Sequence, residues 1–478
     1  MYQENDGAFL MSVSCTAAKS YIMIRSWNAE TSEVRLVPAQ TPTSVPQVVE
    51  PRTRGLIYSV EDWNGRFVIL TNADGAVNFK LMWADAANPG RKSWEDWIAY
   101  RPEAYITGML PFRDFFVRME RVDADALLLV TKAATMHHTP IRFNDPAYAV
   151  ALLDDQEYSA TDLRYVYQSP RQPKQWIAYD VETNKQRMLK AASAGPDFTD
   201  FDKDRYVVER IFATASDGAR VPITLLRRRD LVMDGSAPML MCGYGSYGYF
   251  IEPVFSGATF SLIDRGWVYA ISHVRGGSAK GWSWFLEARR LTKKRTFTDF
   301  IACAESLIEH GYSRKGKIVI HGFSAGGLLV GTVNNMRPDL WAGIIAQAPF
   351  VDMLNTMSDA THPLVPLTRP DWGDPLVDPK IYDYIASYSP YENVHRTAYA
   401  PVLATTSVAD DRVGYWEPAK WIAKLRDDDT GHSPKMLQTE IEGGHGGAAG
   451  RLAALQQTAL FYSFAIWAVT RDCRHRAA

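Results

Sequence analysis

A chain of 478 residues exceeds one ordinary domain, so two domains are expected. Hydrophobic residues at 46% and charged residues at 22% exclude a mainly disordered chain and supply a large core. With 52 Lys and Arg against 54 Asp and Glu, the net charge is -2, and no basic excess directs the chain to nucleic acid or an anionic membrane.

The N-terminus, Met1-Tyr2-Gln3-Glu4-Asn5-Asp6, is acidic and lacks an apolar stretch, so no signal peptide is expected. Along the whole chain no run of about 18 apolar residues marks a membrane span. Residues 9–13, 21–24, 34–37, 56–58, 67–70 and 79–82 are short apolar or β-branched runs separated by Asn- and Asp-Gly turn chemistry, which predicts strands and hairpins. Similar groups recur from about 105 and 163, and starts near 8, 56, 105 and 163 give a spacing of roughly 50 residues that suits propeller blades. A β-sandwich is the alternative, and four groups make a short propeller at most.

After about Asp204 the pattern changes. Residues 221–226, 238–242, 267–273, 317–321 and 402–405 read as buried strands, and 297–309, 326–336 and 417–425 as helices between them, so an α/β domain with a mostly parallel sheet is expected. A closing helix is predicted over 450–470. The division falls in the polar run 197–202, giving an all-β domain over 1–207 and an α/β domain over 208–478. Cys15, Cys242, Cys303 and Cys473 show no CxxC spacing, which argues against a zinc cluster or disulfide framework and suits a reducing compartment. The combined expectation is a soluble, cytoplasmic protein without metal or cofactor.

The strongest local signal is the apolar run 317–321 entering Gly322-Phe323-Ser324-Ala325-Gly326, followed by helix-forming sequence. That is the strand–turn–helix context of a nucleophile elbow. A serine needs a base to take its proton and a carboxylate to orient that base, in the order Ser, Asp, His for this fold. Of the downstream histidines 362, 395, 432, 445 and 475, His445 stands in Gly443-Gly444-His445-Gly446-Gly447, which has no packing reason for an imidazole. Asp410 and Asp411 both follow the strand-like 401–406, and either could orient it; Asp352 and Asp374 follow no such strand. For the oxyanion, the backbone N–H of Ala325 is one donor, and the loop Gly243-Tyr244-Gly245-Ser246-Tyr247-Gly248 offers the Tyr244 hydroxyl as another. The loop also reads G-x-G-x-x-G, but Tyr249-Phe250-Ile251-Glu252-Pro253 stands where a dinucleotide site needs a helix.

These motifs, with His273-Val274-Arg275-Gly276-Gly277, residues 349–357 and residues 411–421, resemble the prolyl oligopeptidase family of serine peptidases, and most of all its oligopeptidase B branch. The resemblance implies a β-propeller over an α/β-hydrolase domain, short peptides as substrates, Ser324 as nucleophile, Asp410 rather than Asp411 as orienting acid, His445 as base, Tyr244 on the oxyanion and Arg412 on a substrate carbonyl. Three departures accompany it. The N-terminal part is about half the family's usual length, and an incomplete propeller would leave edges open to self-association. The two glutamates that bind a substrate Arg or Lys in oligopeptidase B are replaced by Thr368 and Pro370, around Arg369 and before Asp371. The motif Arg-Gly-Gly-x-Glu ends here in Ala279. The leading expectation is a serine oligopeptidase with weakened Arg/Lys preference; an esterase, amidase or peptide cyclase with the same triad, and a non-catalytic peptide binder, are the alternatives.

Overall fold

The computed structural model describes residues 2–195 and 201–475. Its contacts divide into one unit of Met1–Ser169, Pro173–Ser193 and Ala279–Ser283, and a second of Pro170–Gln172, Ala194–Ser278 and Trp284–Ala478.

The first unit contains four four-stranded sheets, each ordered as in the chain. Their first strands are Leu10–Cys15, Tyr58–Trp63, Tyr105–Pro111 and Ala149–Leu152. The fourth starts well before the expected position near 163, because Ala-Val-Ala-Leu is too short and too uniformly apolar to announce a strand. Hairpin chemistry sets the register where it was expected. Trp63 pairs with Arg66 across a two-residue turn, and Asn64 (φ 51°) and Gly65 (φ 75°) supply the two positive φ angles that a type I′ turn needs. Alternation then buries Tyr58, Val60, Phe67 and Ile69 in one cluster.

The second unit is built on an eight-stranded sheet, its strands labelled here β1 (Tyr206–Thr214), β2 (Arg220–Arg228), β3 (Met239–Cys242), β4 (Val268–Ser272), β5 (Ile318–Phe323), β6 (Trp341–Gln347), β7 (Val402–Ser407) and β8 (Lys435–Glu440). The order across the sheet is β1-β2-β4-β3-β5-β6-β7-β8. β1 and β2 pair antiparallel, as do β2 and β4; every later pair is parallel. Parallel strands need crossovers, and the helices Lys294–Glu309, Ala325–Met336 and Trp416–Asp428 provide three of them. β1 begins two residues before the expected start at 208, and residues 197–200 of the polar run lie outside the described residues.

The closing helix runs over Arg451–His475. Its Phe461, Phe464, Ala465, Ala468 and Val469 pack on Leu240, Val319, Ile345 and Leu403 of the sheet. One stretch, Arg451–Arg471, is long and apolar enough to cross a membrane by length and composition, which corrects the reading that no such run exists. Part of its apolar content covers the sheet, while Leu452, Leu455 and Trp467 are exposed.

Candidate active site

Ser324 stands at the end of β5, before the first turn of the helix Ala325–Met336, at φ 57° and ψ -118°. A non-glycine residue rarely adopts that conformation, and the neighbours enforce it. Ser324 N donates to Gln347 O at 2.9 Å, and Ser324 O accepts from Gly327 N at 2.7 Å and Phe350 N at 3.1 Å. A side chain at Gly322 would put Cβ 1.9 Å from Gly326 O, and one at Gly326 would put it 2.9 Å from Gly243 O. The two glycines of the motif are therefore there for close backbone approach. Ala325 opens the helix, where a backbone N–H has no intrahelical acceptor.

Asp410 and His445 come together from the loops after β7 and β8. His445 Nδ1 lies 2.8 Å from Asp410 Oδ2 and 3.0 Å from Oδ1. Asp410 Oδ1 also accepts from the backbone N–H of Arg412 at 2.9 Å and of Val413 at 3.0 Å. The carboxylate has no exposed surface, whereas Asp411 and Arg412 are exposed. This geometry separates the two aspartates, which the local sequence left equivalent. A carboxylate on Nδ1 leaves Nε2 as the free face of the ring. The Phe323 ring packs 4.8 Å from the imidazole, next to Ser324. Behind His445 lies a 280 Å³ cavity lined by Gln347, Thr405, Ser407 and Gln457.

Tyr244 follows β3, and its hydroxyl lies near Ser324. Burial pushes the phenol up to about 12, against the opposing influence of the Ser324 hydroxyl and the positive charge of Arg412, so it stays a donor at neutral pH. Asp410 thus pairs with His445, while the Tyr244 hydroxyl lies near Ser324. Among the described residues no hydrogen bond joins the imidazole to Ser324 in this conformation.

The segment Thr368–Asp371, which the resemblance offers for residue preference, lies in the helix Val365–Trp372. Thr368 turns its hydroxyl back to Leu364 O at 3.1 Å. Arg369 pairs with Asp374, Nε to Oδ2 at 2.9 Å. Pro370 O accepts from Arg289 at 3.2 Å and Arg290 at 2.8 Å. Asp371 is 5% exposed, and its charge acts on Tyr244 and Lys293. Asp359, the next carboxylate upstream of this segment, is exposed and takes its hydrogen bonds from Thr361 in its own turn.

Sequence reading passed over Lys293. In the run Lys293-Lys294-Arg295 it looks like part of a solvated basic face, yet it is 2% exposed. The signal was in the phase: Lys293, Thr296, Phe297 and Phe300 share one helical face, and that face is buried.

A sheet of this order with an elbow serine and an Asp–His pair is the architecture of an α/β-hydrolase. Residues 253–471 match the prolyl oligopeptidase family, and residues 1–192 match the N-terminal β-propeller domain of prolyl oligopeptidase. The chain is similar to dipeptidyl aminopeptidase BI of Pseudoxanthomonas mexicana, 39% identical over 97% of this chain and 63% of that protein. Among solved structures it is similar to oligopeptidase B of Leishmania major, with a TM-score of 0.93 and 33% identity over 98% of this chain and 66% of that one. The closed form of Trypanosoma brucei oligopeptidase B with covalently bound antipain gives a TM-score of 0.92 and 34% identity over 98% of this chain and 67% of that one. The chain belongs to the prolyl oligopeptidase family, with a propeller-type N-terminal unit and an α/β-hydrolase unit, and spans 63% of the length of the first of these relatives.

Proposed function

We propose that this protein is a serine peptidase that cleaves short peptides through an acyl-enzyme, with Ser324, His445 and Asp410 as its triad. The observation that carries the reading is the Asp410 carboxylate on His445 Nδ1, at 2.8 Å, beside a serine held in the strained elbow conformation. Ser324 Oγ attacks the scissile carbonyl carbon as His445 Nε2 takes its proton, which requires the glycine loop to carry the imidazole onto the serine. The carbonyl oxygen becomes an oxyanion and accepts from the Tyr244 hydroxyl and the Ala325 N–H. His445 then gives the proton to the departing amine, and the C–N bond breaks. Water repeats the sequence on the ester, releasing the acid and restoring Ser324. Arg412, exposed beside Asp410, is the candidate partner for a substrate carbonyl.

At the residue before the cut, the proposed preference for Arg or Lys is weak. An unpaired cation in a dry pocket costs several kcal/mol, and Thr368 and Pro370 supply no charge. The reading is tested by fluorophosphonate labelling with peptide mapping, and by hydrolysis of peptidyl anilides varied at that residue. Labelling at Ser324 and turnover are expected; labelling at another residue, with turnover intact in Ser324→Ala, would refute it.

A further inference from the structure

We propose that Lys293 is the positioning residue of the oxyanion loop: its buried ammonium ties Gly245 and Ser246 to the helix start at 293–296 and so holds Tyr244 against the reacting carbonyl. The inference rests on the peptidase reading above and deepens it.

Lys293 Nζ donates to Gly245 O, to Ser246 Oγ at 3.0 Å and to Thr296 Oγ1 at 3.0 Å. An ammonium has three donors, and here each has an acceptor. Two of those acceptors belong to the residues directly after Tyr244. The third, Thr296, donates in turn to Arg275 O at 2.8 Å. Arg275 is itself locked by Asp299 at 2.9 and 2.6 Å and by Asp217 at 2.6 and 3.0 Å. Gly245 is left-handed at φ 72°, and a Cβ there would lie 2.3 Å from Thr296 Cγ2, so the loop is pressed onto this anchor.

The same turn grips the residue-preference helix. Lys293 Nζ lies 5.1 Å from the centre of the Trp372 ring, a cation–π distance. Arg290, at φ 50°, and Arg289 both donate to Pro370 O. A lysine serving packing alone would not place its head group on three polar acceptors in a buried site, since that costs desolvation of the charge. Burial does pull the ammonium down to about 7, against the opposing charges of Asp371 and Asp299. Without Lys293, Gly245 O and Ser246 Oγ lose a buried donor and the loop relaxes. Displacing a transition-state donor by about 1 Å costs on the order of 10²-fold in rate.

The experiment is a double-mutant cycle on hydrolysis of a peptidyl p-nitroanilide. Lys293→Met is expected to lower kcat by roughly 10–100-fold with KM changed less than about threefold, because Tyr244 acts on developing charge. Tyr244→Phe, added to Lys293→Met, is expected to cost far less than in the parent, since the tyrosine is already misplaced. Full multiplication of the two effects, or a kcat for Lys293→Met within twofold of the parent, overturns the proposal. If Lys293→Met does not fold, Thr296→Val and Thr296→Ser carry the test. Valine removes the relay hydroxyl and is expected to lower kcat, while serine keeps it and restores the rate; equal kcat in both and in the parent overturns the proposal. A parent that labels at Ser324 while the Lys293 and Thr296 variants behave like it overturns this proposal alone. A parent that neither labels nor turns over overturns the peptidase reading and this proposal with it.

Discussion

On the donor side of the site, Tyr244 sits in a loop whose neighbours Gly245 and Ser246 are bonded to a buried lysine, with Arg275, Thr296 and Asp299 behind them. On the acid–base side, His445 sits in a glycine loop and has its side-chain hydrogen bonds to Asp410. On the proposed peptidase reading, the difference follows from what each group would have to do. A donor to an oxyanion gains by being fixed before the charge appears, because no dipole then has to turn during reaction. A base that receives a proton from the serine and passes it to the leaving amine serves two positions, and a glycine-rich loop leaves it room to do so.

The largest expected effects lie on the acid–base side. Ser324→Ala is expected to abolish fluorophosphonate labelling and to lower kcat by about 10⁶-fold, as in a serine protease whose triad acts as a unit. Asp410→Asn should cost about 10⁴-fold, because the amide favours the wrong imidazole tautomer. Asp411→Asn should leave kcat within a few-fold, since Asp411 is exposed and Asp410 alone meets His445. Equal losses at the two aspartates would break the assignment. On the donor side, Tyr244→Phe should lower kcat by roughly 10²–10³-fold with a smaller change in KM. A loss confined to KM would mean that Tyr244 contacts the substrate rather than the oxyanion.

Much of the acid–base side was legible in the sequence, because elbow glycines and a histidine among glycines have few structural uses. The donor side was legible only at Tyr244. Its supports are spread over residues 217, 275, 293, 296 and 299, and local pattern does not bring such distant positions together. The choice between Asp410 and Asp411 was likewise invisible to spacing, since both follow the same strand; the family resemblance picks Asp410, and it is the Asp410 carboxylate that is buried against His445. In the first unit, alternation and turn residues, among them Asn64-Gly65, revealed three of the sheets, while Ala149–Leu152 lacked the pattern that marks a strand.

Smaller effects are expected where the donor side meets the residue-preference helix. Thr368 bonds to its own helix and Arg369 to Asp374, so neither meets a substrate cation as a free carboxylate would. Asp371 is buried and already shares the field of Lys293. Thr368→Glu with Pro370→Glu is expected to raise kcat/KM for an arginyl substrate over a neutral analogue by roughly 30–150-fold, the value of one charge-assisted contact. A parent that already prefers arginyl over alanyl substrates by about 10³ would show that another carboxylate fills the role.

The smallest expected effect concerns stability, and it tests whether the acid–base side has a buried anchor of its own. Glu417 is fully buried in the helix Trp416–Asp428, where it accepts from Asp352 N at 2.9 Å and from Thr356 Oγ1 at 2.6 Å. Burial pushes its carboxyl up to about 7, Asp352 adds to the rise, and the two hydrogen bonds oppose it. Between the ordinary value of 4.5 and about 7 the folded chain holds a proton that the unfolded chain has released. The stability from that proton is therefore present at low pH and is lost as pH rises through 7. Glu417→Gln keeps an oxygen acceptor for Asp352 N, can donate its amide N–H to Thr356 Oγ1 with that hydroxyl turned from donor to acceptor, and does not titrate. The variant should melt roughly 3–5 °C above the parent at pH 8, with that advantage gone near pH 5. Thermal unfolding of both proteins at the two pH values measures this. Parallel pH profiles would show that Glu417 is ionised in the folded chain, held by its hydrogen bonds despite burial. The loop after β6 would then be tied to the His445 side by a charged group, as Lys293 ties the oxyanion loop.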